Sequence, residues 1–151
     1  MAGLTVCASL VEKALNQAAL CRSCEVLGVQ RLILPRPNDS WDFRKISASA
    51  QQWQLMEYCL PEFLPQWLAL QTGSTRVALS VSEASQPLTD YAFTPKTVLL
   101  LGRELTGIPA ELMALCDVTL TIPQYGRVES LNVQTAAAIA IYEYNRQRRS
   151  P

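Results

Sequence analysis

The sequence predicts an α/β domain: a mostly parallel sheet covered by helices. Two observations carry that expectation. Short apolar clusters rich in leucine and β-branched residues recur along the chain, and stretches of helical spacing lie between them. A third sets the scale: 151 residues suit one domain, which at that size buries roughly 68–70% of the surface its unfolded chain exposes.

In chain order, the first strand is expected over residues 4–10, followed by a helix over 16–27 that Gly28 would end as its C′ residue. A second strand, 31–34, runs into a loop over 35–42, where Pro35, Pro37, Asn38 and Asp39 crowd together. A helix over 61–70 and strands over 76–81 and 98–101 come next. Pro109 stands where a first-turn proline starts a helix, placed over 109–115. A strand over 118–122 leads to a long final helix over 130–146, with Ser130 in position to cap it. From Ala136 to Tyr142 every residue is apolar, so this helix is expected to be hydrophobic around its circumference. No repeat, low-complexity tract or linker interrupts the series. One domain is expected over 1–151, either alone or as the C-terminal part of a longer protein.

Composition removes several classes of function. Hydrophobic residues at 49% and charged residues at 17% exclude a disordered or charged linker protein. The net charge is zero, so contact with nucleic acid must come from a local patch or from another segment. The first ten residues lack a basic leader, and no apolar run approaches the ~20 residues that span a bilayer. An intracellular protein, cytoplasmic or nuclear, is expected, with no membrane partner. Of the five cysteines, Cys21 and Cys24 form the only close pair. A structural zinc site needs four ligands, and there is neither a second such pair nor any histidine. Reduced, partly buried thiols and no metal are the expectation. The missing histidine also removes Ser-His-Asp hydrolysis and histidine general-base catalysis.

Three stretches invite a ligand. In Val98-Leu-Leu-Leu-Gly102-Arg-Glu104-Leu-Thr-Gly107-Ile-Pro109, a glycine at each end of a loop after a strand lets backbone approach a ligand, with Glu104 placing a carboxylate there. An ordinary strand-to-helix turn would read the same way. In Ile122-Pro-Gln-Tyr-Gly-Arg-Val-Glu-Ser130-Leu131-Asn132-Val133, a polar loop leaves a strand end and enters the last helix. Open α/β sheets bind ligands beyond the carboxyl ends of their strands, so the two loops are expected to share a pocket. Taken alone, Ser130 reads first as a helix cap, and Asn132 as a first-turn polar residue. In the third stretch Asn16 and Arg22 lie six apart. An arginine near a helix start is not placed there for the macrodipole, and its donor fork suits phosphate or carboxylate. No GxGxxG or GxxxxGK[ST] is present, which weighs against a nucleotide-dependent reductase.

Taken in order, these stretches resemble the three motifs of the SpoU family of RNA ribose methyltransferases. Asn16 with Arg22 is similar to the first, Gly102, Glu104 and Gly107 to the second, and Ile122-Pro123, Gly126 and Ser130-Leu131-Asn132-Val133 with alanines 136–138 to the third. Within the family the likeness is to the C-terminal methyltransferase domain of large eukaryotic TAR RNA-binding-protein-like enzymes acting on guanosine of the transfer RNA D-loop. Ala8-Ser9-Leu10, the run from Cys21 to Val26, Ser49-Ala50-Gln51-Gln52-Trp53 and Tyr142-Glu143-Tyr144 carry it. Two residues depart from the pattern: Ala18 stands where the family has glycine, and Arg103 where asparagine is common.

The resemblance implies a C-terminal trefoil knot and S-adenosyl-L-methionine as cofactor, leaving S-adenosyl-L-homocysteine. It places the cofactor among Leu100, Leu101, Gly102, Gly107, Ile122, Leu131 and Asn132. It implies a catalytic set of Arg22, Asn16, Glu104, Ser130 and Asn132 acting on a ribose 2′-hydroxyl. Arg22 would hold the RNA phosphate and the developing oxyanion, Asn16 and Ser130 would position ribose or arginine, and Glu104 would orient donors. A homodimer is implied too, with Arg22 of one chain serving cofactor bound by the other. Alternatives are ribosomal RNA, a transfer RNA wobble position, or a non-catalytic RNA-binding relative, the last suggested by Ala18 and Arg103.

Overall fold

The computed structural model describes residues 3–81 and 85–149. Its elements, in chain order, are β1 (Gly3–Cys7), α1 (Ala14–Val26), β2 (Arg31–Leu34), α2 (Trp41–Ile46), β3 (Met56–Tyr58), α3 (Leu64–Ala69), β4 (Thr75–Leu79), β5 (Gln86–Pro87), β6 (Lys96–Leu100), α4 (Ala110–Met113), β7 (Val118–Thr121) and α5 (Val133–Arg148). The strands form one sheet in the order β3-β2-β1-β6-β4-β7-β5. Every pairing is parallel.

Parallel sheets are covered on both faces, and the central strands show it. Along β6 and the residue after it, Val98 and Leu100 face α3 and α4 with Leu64, Leu68 and Leu112. Leu99 and Leu101 face the opposite way, into a larger core with Ala18, Cys24, Phe43, Ala137 and Ile141 of α1, α2 and α5. The side-chain period of two thus divides one apolar run between two cores. The edge strands β3 and β5 are short, and β5 carries Pro87 at an edge where its missing N–H does no harm.

Gly28, at φ +73°, takes the predicted C′ position, its N–H donating to the Glu25 carbonyl at 3.1 Å. Arg22 does not sit near the helix start: α1 begins at Ala14, so Arg22 lies in its second half. The macrodipole tolerates an arginine there, so helix position by itself gives this residue no functional weight. The expected loop over 35–42 stops at Ser40, whose hydroxyl accepts from Phe43 N at 3.1 Å and starts α2. Pro109 stands just before α4 rather than inside it. Residues 61–63 form a 3₁₀ turn ahead of α3.

Ser130 does not cap the final helix. Asn132 does, its Oδ1 accepting from Gln134 N at 2.9 Å. The apolar α5 packs on one side only: Ala137, Ala140, Ile141 and Tyr144 are buried, while Ile139 is 40% and Tyr142 64% exposed. Helices α1 and α5 pack side by side and run the same way. Asn132 reaches Asn16 at their starts, and Asn145 Nδ2 donates to the Leu27 carbonyl at 2.7 Å near their ends.

All five cysteines are unpaired thiols. Burial pushes Cys7 up to about 12 and Cys21 up to about 11, so both stay protonated and unreactive. Among the described residues, no three cysteine, histidine or acidic side chains gather as a metal site. No described helix is long and apolar enough to cross a membrane.

Candidate active site

A cleft of about 300 Å³ opens where β4, β6 and β7 end. Its walls are Leu79, Ser80 and Val81 at the end of β4 and just beyond it, the 101–108 loop after β6, Ile122 and Gln124 after β7, and Ser130, Leu131, Val133 and Ala136 around the start of α5. The two glycine-bearing loops therefore do meet at one sheet edge, as the open-sheet rule requires.

The 102–107 loop is closed on itself. Arg103 and Gly107 exchange backbone hydrogen bonds at 3.0 and 3.1 Å, and both glycines are needed for that closure. A Cβ on Gly102 would stand 2.6 Å from the Gly107 carbonyl carbon and 2.8 Å from Ile108 N. Gly107 is held at φ +74°, a conformation costly for any other L-residue.

One hydrogen-bonded relay joins all three motif stretches. The Glu104 carboxylate accepts from Lys13 N at 2.8 Å, Glu12 N at 3.2 Å and Asn16 Nδ2 at 3.1 Å. Asn16 Oδ1 in turn accepts from Asn132 Nδ2 at 3.2 Å. Burial alone would push Glu104 up, but the bonds from Lys13, Asn16 and Glu12 outweigh it and hold the carboxyl below its ordinary 4.5. An ionised Glu104, at the cleft wall, thus pins the turn that leads into α1 and sets Asn16, which sets Asn132.

A depressed carboxyl pKa stabilises the fold above the unfolded value, and that stability is lost as pH falls through the folded one. Glu104→Gln should therefore cost about 1–2 kcal/mol near neutral pH, at the low end for charge-assisted bonds because two of them are exposed. Melting curves taken across pH should show the gap to wild type closing below about pH 4.5. A gap that persists in acid would rule this role out.

Of the expected cofactor residues, Leu101, Gly102, Gly107, Ile122 and Leu131 line the cleft. Leu100 is fully buried in the core beyond the sheet, and Asn132 stands beside the cleft as cap and relay member. Of the expected catalytic residues, Glu104 and Ser130 line the cleft, Asn16 touches it through Glu104, and Arg22 lies apart on the exposed side of α1. Leu79, Ser80 and Val81 had no sequence signature, because only the strand order reveals that β4 adjoins β6.

A parallel sheet whose glycine-bearing loops meet beyond the carboxyl ends of its strands defines a ligand-binding α/β domain. The chain belongs to the SpoU rRNA Methylase family, whose model matches residues 3–142. It is 39% identical over 149 residues to the tRNA (guanosine(18)-2'-O)-methyltransferase TARBP1 of Mus musculus, covering 96% of this chain and 9% of that one. It is 31% identical over 147 residues to the tRNA (guanosine(18)-2'-O)-methyltransferase of Thermus thermophilus, covering 96% of this chain and 75% of that protein. The SpoU methyltransferase AviRb of Streptomyces viridochromogenes, solved in complex with AdoMet, superimposes with a TM-score of 0.79 at 27% identity, covering 97% of this chain and 58% of AviRb. The chain therefore spans about a tenth of its mouse relative's length.

Proposed function

We propose that this chain is an S-adenosyl-L-methionine-dependent RNA 2′-O-methyltransferase domain whose substrate is a transfer RNA guanosine in the D-loop. The relay from Glu104 through Asn16 to Asn132, beside an apolar cleft, carries the reading, because it gives the three motif stretches one shared structural purpose. The names of the mouse and Thermus relatives favour guanosine over a wobble position or ribosomal RNA. The site of action is intracellular, cytoplasmic or nuclear.

The cleft fits the cofactor on its own features. Leu101, Ile122 and Leu131 offer apolar walls, while Gly102 and Gly107 present backbone without side chains. When bound, the cofactor supplies a methyl group made electrophilic by its sulfonium. The chain's residues hold it, keep water out and align the acceptor oxygen. Ser130, lining the cleft, positions ribose. Arg22, always charged, binds the neighbouring phosphate and steadies negative charge developing on the 2′-oxygen. Threading of the C-terminal segment as a trefoil knot belongs to the same reading. β6 and β7 are inserted between strands that precede them in the chain, in keeping with it.

A homodimer completes the reading. Arg22 stands in a stripe on α1 with Leu15 at 66% and Val26 at 71% exposure, on the helix that packs against α5 with its exposed Ile139 and Tyr142. A cation inside an exposed apolar stripe and outside its own cleft suits an interface that carries Arg22 to the partner's cleft. The non-catalytic alternative loses half its support, since Ala18 is fully buried in the core and its methyl cannot obstruct the cleft.

Calorimetry with S-adenosyl-L-homocysteine should show saturable heat and a raised melting temperature, because a ligand bound only by the native state stabilises it. Light scattering should report twice the 16.7 kDa chain mass. Transfer RNA from cells lacking the protein should lose one D-loop ribose methylation. No heat and no thermal shift at saturating cofactor would sink the reading.

A further inference from the structure

Arg103 and Glu104 are the only charged side chains lining the cleft among the described residues. Glu104 is fully engaged by three donors. Arg103 is not: its Nε lies 3.8 Å from Glu12 Oε1, outside hydrogen-bonding range, and its guanidinium makes no hydrogen bond among the described residues. A pair that long and that exposed contributes little and does not explain why a cation stands there. The backbone beneath it, by contrast, is fixed on both sides by the bonds to Gly107. An arginine with an anchored base, five free donors and a cleft in front of it is a preorganised oxyanion binder.

Resting on the methyltransferase reading, we propose that Arg103 binds the RNA phosphate next to the methylated ribose, as a cationic contact supplied by the chain that owns the cleft. Arg22 comes to that cleft only from elsewhere, so the two arginines approach the substrate from different sides. With a net charge of zero, the chain has no diffuse positive field to draw RNA in, and one cation in the cleft counts for more.

The other oxyanion that can enter the cleft is the carboxylate of the cofactor, and the test separates the two. Arg103→Gln and Arg103→Lys are compared with wild type in the 151-residue chain. Affinity for S-adenosyl-L-homocysteine is read by calorimetry, and affinity for transfer RNA by titration over a range of salt with that compound present. Arg103→Gln should weaken RNA binding about tenfold, lower the slope of log affinity against log salt by about 0.7–0.9, and leave cofactor affinity within about twofold. Arg103→Lys should keep most of the slope. Glu12→Gln, which removes the distant partner, should leave RNA binding unchanged or tighter.

Weakened cofactor with unchanged RNA would assign the arginine to the carboxylate and overturn the proposal. So would no change in either, the same RNA loss in Glu12→Gln, or a wild-type chain that binds cofactor but no RNA. A wild-type chain that binds neither would instead overturn the methyltransferase reading itself.

Discussion

Replacing Arg22 with lysine should lower methyl transfer by about 100-fold or more, the loss typical of removing one donor to a developing oxyanion, while cofactor affinity stays within about twofold. Lysine keeps the charge but loses the planar fork, and holding a phosphate while steadying a nearby oxygen needs two donors in fixed relation. Cofactor affinity is spared because the residues lining the cleft are unchanged and Arg22, which is not among them, is assigned to the RNA rather than to the cofactor. Single-turnover rates with saturating RNA, set against calorimetric cofactor affinity, separate the two effects. A lysine variant with wild-type turnover would show that charge alone suffices.

The sheet's interior was legible because burial writes itself into sequence as unbroken apolar runs. β2 begins and ends where expected, with Leu32, Ile33 and Leu34 all buried between two parallel neighbours. The edges were not legible. Met56–Tyr58 is only partly covered and Gln86–Pro87 has no apolar signature, so each is a strand only because a distant partner offers it hydrogen bonds. Local chemistry puts the cap of α5 at Ser130, with Asn132 in the first turn, although both residue types cap helices well. Asn132 wins with its Oδ1 on Gln134 N while its Nδ2 reaches Asn16, a residue 116 positions away that no window of sequence could connect.

The candidate site divides in the same way. Gly102, Gly107, Ile122 and Leu131 could be placed in a pocket from motif spacing and the strand-end rule. The purpose of Glu104 could not, because spacing puts a carboxylate among glycines without saying that it turns toward the start of α1. Apolar spacing starts the helix at Asn16, but two further residues of helix, Ala14 and Leu15, move Arg22 into its second half.

Gly102→Ala should abolish measurable cofactor binding and destabilise the fold by about 1–3 kcal/mol, the range for forcing an extra carbon into a packed site. The added Cβ meets Gly107 Cα and carbonyl carbon and Ile108 N, all within 2.8 Å and all backbone, so no side chain can swing aside. Gly107→Ala meets no atom within 4 Å but must hold φ +74°, and should cost about 1 kcal/mol with cofactor binding weakened but present. Gly126→Ala, with open space and no unusual φ, should stay within about 0.5 kcal/mol of wild type. Melting temperatures and calorimetry on the three variants test this order; cofactor binding by Gly102→Ala at wild-type strength would mean that the loop opens to admit the ligand. The same variant decides where Arg22 acts. A Gly102→Ala chain has a blocked cleft and an intact Arg22, whereas an Arg22→Lys chain has the reverse. If the chain forms the proposed homodimer, co-refolding pairs one of each in half the dimers, and each such dimer holds one competent site if Arg22 reaches across, restoring about a quarter of wild-type activity from two inactive proteins. If Arg22 serves its own cleft, no pairing assembles a working site and the mixture stays inactive.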